Sequence, residues 1–520
     1  MINAKKNILD PLATNSGKRT WNDYSPCEVC LINPPWITKD EDIWHGIKAT
    51  MPPLSLLSIA AYLEAKGRNV AIIDVHAEQL SIKELKERIA RLKPKIVGIT
   101  VMTATAIQAN LIAQLTKKID SSILIVMGGV HAEVLPEECL SNNSVDVVVC
   151  GDGEVTFYNL CTAVCNAAAY QELHGISYKI IKNNKIHFIH NPPADFIKDL
   201  SQLPMASYHL VPMHRYRPTI GAYRRLPAIN MLMTRGCPGK CSFCNSAKTP
   251  LRSRDAAVVV DDIINLKNHY GINEIQFYDD TFTVQKKNVL KFCNLIKKRQ
   301  VDITWSAFAR VDCINEEMAS AMKESGCHQI MFGIESGDEE VLSKMGKPIQ
   351  LNRSKAAVDM VKKAGIEVRC TFVYGCEGET ITSMQKTLTL ALELDPDLAI
   401  FNIATPYPGT QLFNWAKMNN YLLTEDWTKY ELGRPVIKLP TVSPEDLVKF
   451  YKKSFKIFYR RPKVFIRRIK KASSITHWRD MITASAFIMF RYKSGALHTH
   501  KQEWIIHKKE HFFDIPFDNA

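Results

Sequence analysis

Short apolar runs alternate with amphipathic segments through the first third of the chain. The apolar runs, each of about five residues, predict buried strands at 29–33, 70–74, 96–100, 123–127 and 145–149. Between them, apolar residues recur at helical spacing at 54–66, 82–92 and 106–119. Strands that alternate with helices in this way predict an α/β fold with a doubly wound, Rossmann-like parallel sheet.

A second alternating series follows the first. Its predicted strands are 229–233, 274–278, 303–307, 329–334, 368–374 and 399–404, with helices such as 258–269 and 354–364 between them. Six strand–helix units predict a partial (β/α)6 barrel of the TIM type, in which chemistry is expected at the carboxyl ends of the strands.

The two series imply a multidomain protein, as a length of 520 residues also suggests. A hairpin at 176–181 and 185–189, and a proline-containing segment that reaches Pro227, separate them. The predicted division is an N-terminal extension at 1–26, a first α/β domain at 27–170, a hairpin and linker at 171–227, the barrel at 228–430, and a basic helical region at 431–520.

The positive charge is concentrated near the C-terminus. The formal net charge is +14, and residues 441–520 contain 17 Lys and Arg against 7 Asp and Glu, a difference of +10. Local basicity favours an anionic partner or surface over a nucleic-acid-binding protein. The basic amphipathic segment at 452–471, broken by Pro462, is expected to dock on the barrel, and peripheral contact with an anionic membrane is the alternative.

Targeting and membrane signals are weak in this sequence. The longest apolar stretch, at 481–490, falls short of the roughly 18 residues that a membrane-spanning helix needs. The polar N-terminal residues do not resemble a signal peptide, so we expect a cytoplasmic protein. In that compartment, the 14 cysteines predict metal or redox chemistry instead of a disulfide framework.

Three cysteines form the strongest chemical motif. Cys237, Cys241 and Cys244 have CxxxCxxC spacing and follow the first strand of the second series. Three thiolates in one loop can bind three irons of a cubane cluster, which leaves the fourth iron open for a ligand. A zinc site or unrelated thiols are the alternative, but no second ligand pair lies nearby.

Glycines mark the ends of two strands in the first series. Gly128 and Gly129 follow the fourth strand, and Gly151 and Gly153 follow the fifth. Ligands of doubly wound sheets bind at this edge, where a residue without Cβ lets the backbone approach closely. Simple turns at the strand ends are the alternative interpretation.

These motifs together resemble a known family. The cysteine loop, with Phe243 before the last cysteine, resembles the radical SAM superfamily, and the first domain resembles the cobalamin-binding domain fused to a subset of it. That subset includes the class B radical SAM methyltransferases and the anaerobic magnesium-protoporphyrin cyclases. The N-terminal segments that carry the resemblance are 33–35, 53–56, 128–132 and 151–154, and the likeness extends from about residue 29 to about residue 462.

The resemblance implies three cofactors: a 4Fe–4S cluster, S-adenosylmethionine and cobalamin. It implies a methyltransferase that moves a methyl group from methylcobalamin to an unactivated carbon of a small biosynthetic intermediate. A radical SAM oxidative cyclase is the alternative enzyme, and a cobalamin or iron–sulfur sensor is the non-enzymatic alternative. Flavodoxin or ferredoxin is the expected electron donor, with no nucleic-acid partner. The sequence identifies neither the substrate nor a catalytic residue.

The resemblance also suggests residues that contact the cofactors. Asp279 or Asp280 would accept from the ammonium of S-adenosylmethionine, Arg310 would pair with its carboxylate, and Glu335 would accept from its ribose hydroxyls. Helix capping is the alternative for the two aspartates, and surface ion pairing is the alternative for Arg310 and Glu335. Gly375 would pack close to the adenine, and Gly128, Gly129, Gly151 and Gly153 would contact the cobalamin tail.

Two histidines are weaker candidates. His76 follows Asp74 in a pattern that resembles the cobalt-ligand loop of other corrinoid proteins, but it follows the second strand instead of the first. We therefore expect that cobalt has no ligand from His76. His131 either lines the pocket for the nucleotide tail or is a hydrogen-bonded structural histidine.

Overall fold

Two sheets organise the protein, and the computed structural model describes residues 25–37 and 49–470. The first sheet has seven strands in the order β2-β1-β3-β4-β5-β6-β7. Its strands are β1 (Val29–Asn33), β2 (Val70–Asp74), β3 (Ile96–Thr100), β4 (Leu124–Gly128), β5 (Val147–Val149), β6 (Ile176–Lys182) and β7 (Lys185–His190). The first five are parallel, as the sequence predicts.

Helices cover both faces of this sheet. They are α1 (Leu54–Ala65), α2 (Val75–Glu78), α3 (Ile82–Leu92), α4 (Ala106–Ile119), α5 (Val130–Val134), α6 (Pro136–Ser141) and α7 (Gly153–Cys165). The start of α3 is fixed by a capping box, in which Ser81 and Glu84 exchange hydrogen bonds with each other's backbone. Strand β1 is almost wholly buried because β2 and β3 pair with it on either side.

The hairpin extends the first sheet, a contact that the sequence pattern did not predict. Strand β6 pairs antiparallel with β5, and Val148 stands opposite Ser177. The pairing supplies hydrogen bonds to β5, which would otherwise be an exposed edge of only three residues.

The second sheet has six parallel strands in the order β15-β14-β13-β12-β11-β8. They are β8 (Ala228–Met231), β11 (Glu274–Phe277), β12 (Thr304–Ala309), β13 (Cys327–Glu335), β14 (Glu367–Tyr374) and β15 (Leu398–Ile403). Two short antiparallel strands, β9 (Thr234–Arg235) and β10 (Arg252–Ser253), flank the cysteine loop. Within the described residues β8 does not pair with β15, so the barrel is open, and the predicted partial barrel is confirmed.

Helices surround the outer face of the barrel. They are α8 (Ala256–Tyr270), α9 (Lys286–Lys298), α10 (Glu316–Glu324), α11 (Glu339–Lys344), α12 (Leu351–Lys363), α13 (Ile381–Leu394) and α14 (Gln411–Met418), followed by α15 (Pro444–Tyr459) and α16 (Pro462–Lys470).

The basic helices α15 and α16 lie against the barrel. Phe455, Phe458 and Val464 are buried, and the side chain of Phe465 lies outside the described residues. The hydroxyl of Tyr459 donates to the carbonyl of Ala399 at 2.8 Å and accepts from its amide at 3.2 Å, so α15 covers the edge strand β15. The apolar stretch at 481–490 lies outside the described residues, and none of the described helices is long and apolar enough to cross a membrane.

Candidate active site

The cysteine loop is held at the carboxyl edge of the barrel by glycines and short strands. Gly236 has φ of +89° directly after β9, and a Cβ there would collide with the carbonyl of Pro250. The amide of Ser242 donates to the carbonyl of Met345 at 2.8 Å, and the amide of Lys248 donates to the carbonyl of Gly239 at 2.8 Å. The loop is therefore folded tightly on itself and anchored to the segment after α11.

The three thiols are half-buried, and those of Cys237 and Cys241 lie within 4.0 Å of the place where a Cβ on Gly239 would stand. A Cβ on Gly239 would stand 3.2 Å from the Sγ atom of Cys237 and 3.1 Å from an Nη atom of Arg310. Burial raises the pKa of Cys241 and of Cys244, while Lys347 and Arg310 act on Cys241 in the opposite direction. Two cations therefore favour the thiolate form of Cys241, against the effect of burial.

This arrangement fits an iron–sulfur cluster better than a single metal ion. Among the described residues, no group of three His, Cys, Asp or Glu side chains is placed to hold one ion. A cubane cluster spreads its thiolates over three irons, and the space beside Gly239 is kept free by the absence of a side chain. Three thiols in one loop, Cys237, Cys241 and Cys244, are the donor set that three irons of such a cluster need.

The two aspartates after β11 occupy different environments. Asp279 is fully buried, and its Oδ1 atom accepts from the amides of Met233 and Thr234 at 2.8 and 3.0 Å. Burial raises the pKa of Asp279 to about 7. Asp280 is exposed, and its charge acts on the pKa of Cys244. Asp279 thus holds the backbone between β8 and β9, and Asp280 faces the cluster loop.

Arg310 is ion-paired within the protein and lies beside the cluster loop. Its guanidinium forms a two-point pair with Asp312, with distances of 3.0 and 2.8 Å, and it also lies beside Gly239 in the cluster loop. Asp312 and the nearby thiols raise the pKa of Arg310 although burial acts to lower it. The cation is therefore both ion-paired and directed at the cluster loop.

Glu335 is paired with a lysine that sequence reasoning missed. Glu335 is buried with φ of +68°, its Oε1 atom accepts from Lys347 at 2.9 Å, and its Oε2 atom accepts from Thr371 at 3.3 Å. Lys347 also donates to the carbonyl of Gly333 at 2.9 Å. The signal that could have indicated Lys347 is a lysine beside Gly346, in the turn that follows α11.

Gly375 packs against the C-terminal helical region. Its φ is +90°, and a Cβ there would lie 2.9 Å from Leu447 of α15. Its amide donates to Glu379 at 3.2 Å, and burial raises the pKa of that carboxyl to about 7. The loop after β14 is therefore shaped by contacts within the protein.

The glycines of the first domain differ in what surrounds them. Gly129 (φ +98°) lies against the backbone of Val101, and a Cβ on Gly153 would stand 2.8 Å from Ile59. A Cβ on Gly128 would lie 3.5 Å from the carbonyl of Val149, whereas one on Gly151 (φ +78°) would meet no atom within 4 Å. Close packing accounts for Gly129 and Gly153, and Gly151 faces open space.

Apolar side chains are exposed at the same edge of the first sheet. Met102, after β3, is 64% exposed, and Val130, after β4, is 48% exposed. Both lie at the carboxyl ends of parallel strands, where ligands of such sheets bind. Exposed apolar side chains at this edge are the kind of surface on which an apolar ligand can lie.

The two histidines make structural contacts. His131 is buried, lies 3.3 Å from the hydroxyl of Thr103 and packs edge-on against Trp427, with ring centroids 5.5 Å apart. The Nδ1 atom of His76 accepts from the amide of Trp36 at 3.2 Å. His131 thus joins the first domain to the segment after α14, and it matches the structural alternative.

An ion-pair network joins the first domain to the cysteine loop. Arg235, two residues before Cys237, donates to Glu154 at 2.6 Å and lies 3.4 Å from Asp152. Arg252, opposite Arg235 in the β9–β10 pair, also pairs with Asp152. Asp152 and Glu154, at the glycine-rich turn after β5, therefore tie the first domain to the base of the cluster loop.

Comparison with known proteins identifies the family. The B12 binding domain model matches residues 43–161, and the Radical SAM superfamily model matches residues 231–391. An uncharacterized methyltransferase of Pyrococcus horikoshii, PH0819, is 37% identical over 85% of this chain and 94% of its own length. The chain belongs to the cobalamin-dependent radical SAM family.

Other relatives of this radical SAM enzyme agree. The anaerobic magnesium-protoporphyrin IX monomethyl ester cyclase of Rubrivivax gelatinosus is 27% identical over 79% of this chain and 74% of its own. The structure of the methyltransferase TsrM from Kitasatospora setae, with cobalamin and a [4Fe–4S] cluster bound, matches 76% of this chain and 79% of its own, at a TM-score of 0.63 and 19% identity. The expected radical SAM enzyme of the methyltransferase type, with cluster, S-adenosylmethionine and cobalamin as cofactors, is confirmed.

Proposed function

We propose that this enzyme transfers a methyl group from cobalamin to an unactivated carbon of a small molecule. The supporting observation is the contact of Arg235 with Glu154, which sets the cluster loop directly against the strand-end edge of the first domain. A substrate between the two sheets would then face both cofactors. When bound, the cluster supplies the electron that cleaves S-adenosylmethionine, and cobalamin supplies the methyl group.

The residues of the cluster loop and its surroundings would orient S-adenosylmethionine. We assign Cys237, Cys241 and Cys244 to the cluster and Asp280 to the ammonium, because Asp279 is committed to backbone amides. Arg310 would bind the carboxylate.

Lys347, which already donates to Glu335 and to the carbonyl of Gly333, would be a second cation near the same carboxylate. Glu335 would accept from the ribose hydroxyls, and Gly375 would lie beside the adenine. These barrel residues all lie within the proposed domain at 228–430.

The domain at 27–170 would bind cobalamin along the carboxyl edge of its sheet. Gly151 offers backbone to the tail without a side chain in the way, and Gly128, Gly129 and Gly153 shape the turns around it. The electron donor would be a flavodoxin or a ferredoxin, since a reduced cluster requires a one-electron donor of low potential.

Anaerobic assay of the reconstituted enzyme tests the proposal. With S-adenosylmethionine, cobalamin and a reductant, the enzyme should form 5′-deoxyadenosine and S-adenosylhomocysteine, and the product should gain the mass of one methyl group. The cyclase relative supports oxidative cyclisation as the second candidate function. A product that loses hydrogens, without S-adenosylhomocysteine, would support cyclisation and contradict methyl transfer.

A further inference from the structure

The interior of the partial barrel is lined by alternate residues of its strands. In β12, β14 and β15, one set of side chains is buried against the helices and the alternating set keeps partial exposure. At one level of the sheet, Phe308, Met331 and Arg369 are consecutive partners in register, so they form a row across three strands. This row contains a single charged side chain.

Arg369 has no counter-ion in the part of the chain that the structure describes. Its Nε atom is buried without a hydrogen-bond partner. Burial lowers the pKa of Arg369, and the groups that act against this are the phenols of Tyr278 and Tyr459 and not a carboxylate. Arg369 as a whole keeps partial exposure, but a guanidinium partly withdrawn from water still gains from an anion beside it, and the described residues supply none.

The carboxylates on neighbouring strands are already engaged. Glu335, at the end of β13, accepts from Lys347 and Thr371, and Glu367, at the start of β14, accepts from Arg224 at 2.8 Å. Neither carboxylate is free to neutralise Arg369. An anion that the described residues do not supply, such as that of a bound ligand, would pair with Arg369.

The barrel is closed at its amino end. Gln276 donates to the carbonyl of Ala222 at 2.7 Å, and Gln329 donates to the carbonyl of Gly221 at 3.1 Å, so the linker segment covers the base. With the linker over the amino end, the carboxyl end beside the cysteine loop is where we place the entry of a ligand that reaches Arg369. Its other end would therefore remain near the proposed cofactor site.

We propose that Arg369 binds an anionic group, a carboxylate or a phosphate, of the substrate inside the barrel. The inference deepens the proposed methyl transfer and rests on it. Tyr278 stacks on Phe308 of this row with ring centroids 5.4 Å apart, and Met331 adds apolar surface. The substrate class is thus an amphipathic organic acid or phosphate ester with an apolar portion next to its anionic end.

Binding of matched small probes to the holoenzyme tests this assignment. The probes are 3-phenylpropionate, phenylphosphonate and the neutral 3-phenylpropanamide. Their binding is followed by ligand-observed NMR titration. At least one anion should bind the wild-type enzyme about tenfold or more tightly than the amide, and Arg369→Met should remove that preference. Arg369→Lys should retain part of it, and Arg299→Met, at an exposed arginine paired with Asp261, should change nothing.

The two anions distinguish a carboxylate from a phosphate as the preferred group. Failure of both to bind the wild-type enzyme, or equal binding by Arg369→Met, would overturn the assignment. Hydroxocobalamin binding and 5′-deoxyadenosine formation are measured on the same preparations. If these persist while anion binding is absent, the role of Arg369 is wrong and the proposed function stands. If they are absent from the wild-type enzyme, it is the proposed function that fails.

Discussion

The absence of a side chain at Gly239 leaves room beside the thiols of Cys237 and Cys241, and this leads to the first prediction. Replacing Cys237, Cys241 and Cys244 with Ala should abolish the charge-transfer absorption of the reconstituted cluster and the cleavage of S-adenosylmethionine. The fold should persist, because the loop is held by backbone hydrogen bonds that alanine retains, such as that from Ser242 to Met345. Absorption and circular dichroism measure the two effects, and a full cluster in the triple variant would contradict the assignment.

The second prediction concerns pH and Asp279. Its pKa is raised by burial from 3.8 to about 7, so the folded state binds a proton more tightly than the unfolded state. The contribution of Asp279 to the free energy of unfolding therefore falls as pH rises from about 4 to about 7. Asp279→Asn keeps an oxygen acceptor for Met233 and Thr234 without the charge. Its free energy of unfolding, relative to wild type, should rise across this interval by on the order of 1 kcal/mol or more.

Urea unfolding of the two proteins at pH 5 and pH 8 measures this difference, and a pH-independent difference would contradict it. Asp280→Asn is the matched comparison, because that side chain is exposed. It should leave the free energy of unfolding unchanged and weaken binding of S-adenosylmethionine. If Asp279→Asn weakened binding of S-adenosylmethionine and Asp280→Asn did not, the cofactor ammonium would be assigned to Asp279.

Among the connecting elements, the turn between β5 and α7 joins the two domains. The buried Glu154, at the start of α7, makes the ion pair with Arg235. Burial acts to raise the pKa of Glu154, but the charge and hydrogen bonds of Arg235 outweigh it and lower the pKa. Its stabilising effect is therefore present above the ordinary glutamate pKa and lost as pH falls below it. Either Glu154→Gln or Arg235→Met should cost roughly 3 kcal/mol of unfolding free energy by leaving one buried charge unpaired.

The double variant should cost clearly less than the sum of the two single variants, because neither charge is then left alone. Denaturant unfolding of all four proteins measures the coupling. Additive losses would show that the pair does not join the domains energetically.

The loop after β2 supports another prediction at this scale. The Nδ1 atom of His76 accepts from the amide of Trp36, and Asp74 bonds Asn33 at 2.9 Å and Tyr216 at 2.8 Å, so this loop is tied to its own surroundings. His76→Ala should therefore leave the affinity for hydroxocobalamin largely unchanged. Spectral titration of the full-length protein measures the affinity, and loss of binding would show that cobalt takes a ligand from His76.

For the whole molecule, hydrophobic periodicity was sufficient to predict both sheets and their parallel strands. Strand β1 and helix α3 have the predicted bounds, because each is a buried or amphipathic unit with clear end signals such as Ser81. The addition of the hairpin to the first sheet was not predictable, because strand pairing between distant segments leaves no local pattern.

The residues of the candidate active site also divide into those that local sequence predicts and those that depend on distant contacts. The cysteines could be found by spacing alone, since one loop carries all three. Lys347, Arg235 and Arg369 could not be found in this way, because each depends on contacts that only the assembled barrel creates. Long-range pairing of single charged residues is set by the fold and not by neighbours in sequence.

The position of the basic helices against the barrel leads to the last prediction. Arg461, Lys463 and Arg467 all lie within 3.2 Å of Asp395, so part of the positive charge is already neutralised on the protein. Each basic residue that engages an anionic membrane contributes about 1 kcal/mol, and ten engaged together would give strong, salt-sensitive binding. Because α15 also buries Phe455 and Phe458, we expect no co-sedimentation with phosphatidylserine vesicles at physiological salt. Asp395→Asn combined with Asp397→Asn should free these cations and increase sedimentation, whereas Asp446→Asn, at an exposed site on α15, should not. Wild-type sedimentation that disappears at high salt would contradict the docked arrangement and indicate a lipid-like substrate.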